Sequence, residues 1–302
     1  MRGQATIEIF DRRAEELVDP GAELERLATG FVFTEGPAWN FSGRHLTFSD
    51  IPGDTMYRWD EANGARVLRR PSSFSNGLTY DLDGQLISCE HRTRRVTRER
   101  DGHVEVVVDS YRGRRLNAPN DVVVAPDGSL VFTDPHYGLS EPFGGPAEQE
   151  QPVRGVYRVP PGASEPELLI DDFEGPNGLA LSPDGRRLYV DDSDHAHVRA
   201  FDVDADWALS GGSVLVGLEG EGEGEGVTDG LKLDAEGNLY CTGPGGIWLC
   251  TPGGDVLGRI RTDEVAANLN WGDDHARSLY ITASTSIYRL RCRAAGYVPY
   301  RS

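Results

Sequence analysis

The sequence of 302 residues lacks long hydrophobic runs, and its cysteines lack the spacing of a zinc site. No run of about 18 apolar residues occurs, so a transmembrane helix is not predicted. The N-terminal residues lack the apolar core of a signal peptide. The four cysteines form no CxxC pair, and we predict that all of them are free thiols. We therefore expect a cytoplasmic protein, or a periplasmic one if a leader precedes this sequence.

Positive charge is scarce: 30 Lys and Arg residues stand against 49 Asp and Glu residues, a net charge of −19. A chain of this charge is repelled by the phosphates of nucleic acids, so we predict neither a nucleic-acid partner nor a membrane partner. No long 3.6-residue periodicity appears, which argues against coiled coils and βαβ units. The 37 glycines and 18 prolines are spread along the chain, as in proteins of many short strands.

One motif recurs six times. Each copy begins with a polar residue, here called the lead residue, in front of a short apolar run. Eight residues later a glycine (an alanine in the last copy) precedes a second short run. Successive lead residues are 41, 44, 57, 52 and 39 residues apart. Repetition at this period indicates a solenoid or a propeller. The lead residues are Glu35, Asn76, Asn120, Asn177, Asp229 and Asn268.

Two further strand-like runs follow in most copies, which makes four short strands per repeat. The sequence therefore predicts an all-β fold, a single domain over residues 1–302 forming a six-bladed β-propeller with four antiparallel strands per blade. The last repeat supplies only three strands. Because closure removes exposed strand edges, we predict that the N-terminal segment Glu23–Leu27 completes the last blade. A short helix is expected around Arg12–Leu17.

In a propeller the first strand of each blade lies innermost, so the six lead residues are predicted to form a ring at one mouth of the channel. A single Asn in such a position is also explained by turn chemistry, but Glu35 is not a turn former. Converging carboxylate and amide oxygens suit calcium, and Zn²⁺, Mn²⁺ or Mg²⁺ are alternatives. The second strand returns to the same face. It therefore brings His91, Asp134 and His136 next to the lead residues Asn76 and Asn120. We predict that these five residues contact the substrate.

Several segments resemble the gluconolactonase / senescence-marker-protein (regucalcin-like) family. They are LERLATGFVFTEGPAWN, LNAPNDVVVAPDGSLVFTDPHYGL, PNGLALSPDGRRLYV and VTDGLKLDAEGNLY, and together they span nearly the whole chain. CEHRTRRV and FTDPHYG resemble bacterial gluconolactonases more than the vertebrate members of the family. The resemblance implies a six-bladed propeller and calcium-dependent lactone hydrolysis. It also implies metal ligands at Glu35, Asn177 and Asp229, with Asn120 beside the ion and in contact with metal or substrate.

One position departs from that family. Some members carry an arginine two residues before the Asn120 position to hold the sugar ring, and this chain has Ala118. Arg115 and Asn117 are the candidates to replace it.

The predicted reaction is metal-dependent hydrolysis of a sugar 1,5-lactone of the glucono-1,5-lactone type to the aldonic acid. The metal polarises the lactone carbonyl, and Asp229 assists the attacking water as general base. Because a carboxylate bound to a cation is a weakened base, His91 and His136 stay open as alternatives. The expected partner is a small-molecule lactone, and the chain is expected to be a monomer or a homodimer.

Two other functions are alternatives to sugar-lactone hydrolysis. One is a paraoxonase-like hydrolase of other lactones or esters, which a wide apolar mouth would favour. The other is a non-catalytic propeller that binds proteins, which would leave Glu35 and Asp229 without a role. The absence of a Gly-x-Ser-x-Gly motif argues against a serine hydrolase.

Overall fold

The computed structural model describes residues 2–4, 6–218 and 224–301. Six antiparallel units of four strands are arranged as a six-bladed β-propeller, so the fold prediction is confirmed. Helical structure in the described ranges is confined to Ala14–Leu17 and the 3-10 turn Tyr137–Leu139. Within these ranges no helix has the length and apolar character needed to cross a membrane.

The blades are numbered 1 to 6 in the order of their innermost strands. Blades 1 to 3 consist of Thr34–Asn40, His45–Asp50, Thr55–Asp60 and Gly64–Arg69; Ser75–Tyr80, Leu86–Glu90, Arg95–Arg100 and His103–Val108; and Val122–Val124, Leu130–Asp134, Gly155–Val159 and Glu167–Ile170. Blades 4 to 6 consist of Pro176–Leu181, Arg187–Asp192, His197–Val203 and Leu209–Gly217; Leu231–Leu233, Leu239–Gly243, Gly246–Cys250 and Val256–Arg261; and Ala266–Gly272, Ser278–Ala283, Ser286–Arg291 and Glu23–Thr29. A small hairpin, Ser110–Tyr111 with Arg114–Arg115, follows blade 2.

The N-terminal segment closes the ring as predicted. Glu23–Thr29 pairs antiparallel with Ser286–Arg291 and is the fourth strand of blade 6. Two further strands were not expected from the sequence. Thr6–Ile9 adds a fifth strand to blade 5, and Arg2–Gln4 adds a fifth to blade 6. The N-terminal strands therefore all belong to the last two blades.

Apolar side chains fill the space between neighbouring blades. Trp39 of blade 1 stacks on Tyr280 of blade 6, with ring centroids 4.8 Å apart. Burial of aromatic side chains contributes more than that of other core residues because of their area. The predicted free thiols are confirmed, and all four are buried: Cys89, Cys241, Cys250 and Cys292.

The glycine that follows a lead residue serves close packing between blades. A Cβ atom on Gly36 would lie 2.0 Å from the carbonyl oxygen of Asn76, in the next blade. A Cβ atom on Gly178 would lie 2.1 Å from the carbonyl oxygen of Asp229. Only glycine permits this approach of two backbones. The Asn-Gly and Asp-Gly pairs of the sequence thus bring lead residues of adjacent blades together.

Candidate active site

A cavity of about 400 Å³ opens where the innermost strands of five blades begin. Five of the six lead residues line it, so the repeat brings polar side chains from five blades to one place. The sixth, Asn268, lies behind Glu35, and its Nδ2 donates a 3.0 Å hydrogen bond to Glu35 Oε2. The lead residues in the lining are Glu35, Asn76, Asn120, Asn177 and Asp229.

Hydroxyl groups of second strands fix the backbone of lead residues in the next blade. Ser49 Oγ donates a hydrogen bond of 2.8 Å to the carbonyl oxygen of Asn76. Thr133 Oγ1 donates one of 2.7 Å to the carbonyl oxygen of Asn177. These bonds satisfy carbonyl groups that the strand ladder leaves free at the channel. The lead side chains are therefore carried on a fixed backbone.

Glu35 is buried at the floor of the cavity, with 2% of its surface exposed. Its Oε2 accepts hydrogen bonds from the Gly36 N–H and from Asn268, while Oε1 has no partner within the protein. Burial, with repulsion from Asp121, raises the pKa of Glu35 to about 7. An ionised Glu35 is costly here unless a positive charge joins it.

Asp229 stands beside Glu35. Its backbone N–H donates to Thr242 Oγ1 at 3.1 Å, and the neighbouring Asn177 donates its Nδ2 to Ser193 Oγ at 3.0 Å. Desolvation, followed by the charges of Glu35 and Asp191, raises the pKa of Asp229 well above its usual range. Two neighbouring carboxylates that repel each other in this way are stabilised by a cation between them.

Oxygen atoms without partners point to the kind of ion that fits. Glu35 Oε1, Asn76 Oδ1 and Asp191 Oδ2 are buried and accept no hydrogen bond within the protein. In the described ranges no three His, Cys, Asp or Glu side chains are grouped as a metal site, so the donor set consists of two carboxylates completed by amides. Such a set fits a hard cation with oxygen ligands. The residues able to hold it are Glu35, Asn120, Asn177 and Asp229.

Asn76 is held by His91. The Nδ1–H of His91 donates to the carbonyl oxygen of Phe143 at 2.8 Å, so its Nε2 is an acceptor, and it lies 3.2 Å from Asn76 Nδ2. Burial lowers the pKa of His91 to about 4, which keeps the ring neutral. The Asn76 amide is therefore turned with Nδ2 toward His91 and with Oδ1 left without a partner at the cavity.

We expect His91→Ala and Asn76→Ala to raise the KM for the substrate by similar factors, each up to about 10-fold, the value of one hydrogen bond. The double variant should be no worse than either single variant, because both remove the same oriented oxygen. Steady-state kinetics measures this. His103→Ala, at an exposed position of blade 2, is the control. Additive effects of the two changes would contradict the coupling.

A loop over residues 135–154 covers one side of the cavity. It lies between the second and third strands of blade 3 and explains the 57-residue interval after Asn120. Phe143 packs edge-on against Phe33 of blade 1, with centroids 5.5 Å apart. The hydroxyl of Tyr137 donates to Asp194 Oδ1 of blade 4 at 3.1 Å. The loop thus connects blades 1, 3 and 4 above the lead residues.

His136 lies on this loop and lines the cavity. Its ring packs against Tyr137 at a centroid distance of 4.6 Å, and its Nδ1 has no hydrogen-bond partner within the protein. Burial, then the positive charge of Arg154, lowers its pKa below the ordinary value. His136 therefore presents a neutral imidazole with a free nitrogen, unlike His91.

Three predicted contacts do not reach the cavity. Asp134 is fully buried, its Oδ2 accepts the backbone N–H of Asn117 at 2.7 Å, and burial raises its pKa to about 7. Asn117 donates its amide to the carbonyl oxygens of Asp134 and Val153. Arg115 is exposed and binds the carbonyl oxygen of Thr93. Asp134 and Asn117 support the wall behind Asn120, and neither Arg115 nor Asn117 replaces the missing arginine in the lining.

The other part of the lining is apolar, which the sequence reading did not anticipate. It is formed by Phe33, Ile51, Phe143 and Val227. Two of these belong to blade 1: Phe33 lies two residues before the lead residue Glu35, and Ile51 directly follows the second strand. The alternating Glu and Gly of LEGEGEGEG, residues 218–226, predict a solvated loop that overhangs the mouth, and residues 219–223 of it lie outside the described residues. The cavity thus combines a polar floor with an apolar wall.

Comparison with known proteins assigns the family. The profile of the SMP-30/Gluconolactonase/LRE-like region matches residues 33–285, most of the chain. The chain belongs to this family. The match confirms the resemblance seen in the Glu-Gly-Pro and Pro-Asn-Gly-Leu segments, and it includes all six lead residues.

Similar proteins are lactonases by name. A gluconolactonase of Zymomonas mobilis is 32% identical over 95% of this chain and 86% of its own length. A pentonolactonase of Haloferax volcanii is 26% identical over 83% of this chain and 81% of its own. The structure of a Xanthomonas campestris gluconolactonase superposes with a TM-score of 0.88 at 32% identity, covering 96% and 95% of the two chains. These relatives support the lactone-hydrolase class predicted from the sequence.

Proposed function

We propose that the protein hydrolyses a sugar lactone of the glucono-1,5-lactone type to the aldonic acid. One observation carries this: five lead residues line a cavity of about 400 Å³ whose floor holds buried oxygens without partners. The volume lies in the range of small-molecule sites. Family membership and the lactonase names of the relatives support the same reaction.

The polar floor suits a divalent cation, and calcium fits its all-oxygen donors best. Glu35, Asn177 and Asp229 would hold the ion, with Asn120 beside it. A cation bound here supplies a Lewis acid for the lactone carbonyl oxygen. Glu35 contributes a carboxylate that Asn268 and the Gly36 N–H keep in one orientation.

Asp229 is assigned the proton transfer. Its side chain lines the cavity, where a bound lactone and the attacking water would meet it. It accepts the proton of the water that attacks the carbonyl carbon, and the protonated acid returns it to the ring oxygen as the ester bond breaks.

Orientation of the sugar falls to the amides and the loop. Asn76 Oδ1, freed by His91, accepts a hydrogen bond from a ring hydroxyl. Ser193 and Tyr137 line the same cavity and supply hydroxyl groups for others. The apolar wall at Phe33 covers the carbon face of the ring and excludes water from the reacting carbon.

The test is proton release from glucono-1,5-lactone, corrected for spontaneous hydrolysis. We expect acceleration by the protein, loss of rate after chelator treatment and dialysis, and recovery on adding calcium. Glu35→Gln should require a higher calcium concentration for half-recovery, because the variant loses one ligand charge. Glu167→Gln, the same change on the outer strand of blade 3, is the control. No acceleration over the spontaneous rate would overturn the substrate assignment, and an unchanged rate after chelation would overturn the cation.

A second substrate class is favoured by the apolar wall. A lactone with an alkyl substituent, such as δ-decalactone, would place its chain against Phe33, Ile51, Phe143 and Val227. The two classes are distinguished by kcat/KM measured side by side. A higher value for the alkyl lactone would replace the sugar lactone as the assigned substrate.

A further inference from the structure

Two residues break the repeat inside the channel. Asp121 follows the lead residue Asn120, at the position where four of the other repeats have glycine. Lys232 is the only lysine in the sequence, one of its 30 Lys and Arg residues, and it lies three residues after Asp229. The glycines at the Asp121 position are Gly36, Gly77, Gly178 and Gly230.

The two exceptions bind each other. Lys232 Nζ lies 3.2 Å from Asp121 Oδ2 and donates to the carbonyl oxygen of Leu231 at 3.0 Å. The side chains are 13% and 3% exposed, so the pair is largely shielded from water. Asp121 Oδ1 accepts the Val122 N–H at 2.9 Å. The pair therefore links the inner strands of blades 3 and 5 across the channel, below the cavity.

The charges of this pair act on the site. Asp121 directly follows Asn120, and Lys232 lies three residues after Asp229, so both charges lie close to the residues that would hold the ion. Without Lys232, the four carboxylates of Glu35, Asp121, Asp191 and Asp229 would lack the positive charge that it provides at this end of the channel. The ammonium group is a compact point charge, whereas a guanidinium is a broad plane. This explains a lysine in the narrow channel of a chain that otherwise uses arginine.

We propose that Lys232 is a positioning residue that neutralises Asp121 and thereby sets the cation affinity of the site through its net charge. The inference rests on the proposed function, since it concerns the ion held by Glu35 and Asp229. Glu35 and Asp229 carry the charge that the ion neutralises. Asp121, paired with Lys232, adds little to the field, and this keeps binding of the ion moderate and reversible.

The test is a double-mutant cycle on calcium affinity, measured by calorimetry on chelator-stripped protein at fixed ionic strength. Lys232→Met removes one positive charge and should tighten calcium binding by about 10-fold, the scale of a charge interaction at an effective dielectric constant of 20. Asp121→Asn should weaken it by about 10-fold. The double variant keeps the wild-type net charge and should return to within about 3-fold of the wild type.

Two controls separate this role from simple support of the fold. Lys232→Gln also removes the charge but keeps a polar end, so it should tighten binding as Lys232→Met does, and it answers the question if Lys232→Met does not fold. Arg199→Met with Asp172→Asn makes the same charge changes in a pair outside the cavity lining, between Arg199 of blade 4 and the exposed Asp172, and should leave the affinity unchanged. Equal affinities in all four members of the cycle would overturn the role of Lys232 alone. A wild type that binds neither calcium nor manganese would overturn the cation site as well, whatever its lactonase activity.

Discussion

Replacement of Asp229 by asparagine is expected to lower kcat by about 100-fold or more, the usual contribution of a general base. The amide still offers an oxygen to a cation, as Asn177 does, but it accepts no proton from water. The fold should survive because Asp229 lies at the cavity and its backbone is fixed by Thr242. The measurements are lactone hydrolysis at saturating calcium and calcium affinity by calorimetry.

Three results distinguish the roles of Asp229. Bound calcium with lost activity supports the base. Loss of both together makes Asp229 chiefly a ligand. Retained activity with bound calcium removes Asp229 from the reaction and moves the base to His136, which lines the cavity and whose Nδ1 has no partner within the protein. Asp202→Asn, at an exposed position of blade 4 outside the lining, is the control for the amide substitution.

The repeat predicted both the fold and the floor of the site because one structural rule underlies them. A lead residue at the start of each inner strand is carried to one end of the channel by the geometry of a propeller. Five of the six therefore meet in one cavity, and the short sixth repeat correctly indicated closure by Glu23–Thr29. The glycine after the lead residue is explained by packing between blades and not by turn formation. At Gly36, for example, the missing Cβ atom allows close contact with the Asn76 backbone.

Features that occur only once in the chain could not be predicted from the repeat. The Asp121–Lys232 pair joins residues 111 positions apart, and neither residue belongs to the repeat pattern. In the sequence, the loop over residues 135–154 is visible only as a long interval between the lead residues Asn120 and Asn177. The length indicates an inserted segment but not which part of the fold that segment covers. Strand direction alone also predicted Asp134 at the mouth of the channel. In the structure its carboxylate instead points into the wall, where it accepts a buried hydrogen bond from the Asn117 backbone N–H.

Deletion of residues 2–30 is expected to abolish cooperative unfolding. It removes Glu23–Thr29 and exposes the backbone edge of Ser286–Arg291, which pairs readily with other chains. It also removes the buried side chains of Leu17, Val18 and Leu24. Each contributes about 1.5–3 kcal/mol on burial, a sum comparable with the whole stability of about 5–15 kcal/mol of a typical protein. Thermal melting and size-exclusion chromatography should report a molten or aggregated chain.

A shorter deletion shows which part of the segment matters. Removal of residues 2–10 takes away only the fifth strands, Arg2–Gln4 and Thr6–Ile9, and leaves four strands in blades 5 and 6. This variant should fold, with a lower melting temperature and with calcium affinity unchanged, since both strands lie at the outer edge of the ring. If the longer deletion melted as cooperatively as the shorter one, closure by Glu23–Thr29 would not be what holds blade 6 in place. The cavity depends on that closure, because Asn268 of blade 6 orients Glu35 of blade 1. A chain that loses the outer strand should therefore lose its calcium site together with its cooperative melting.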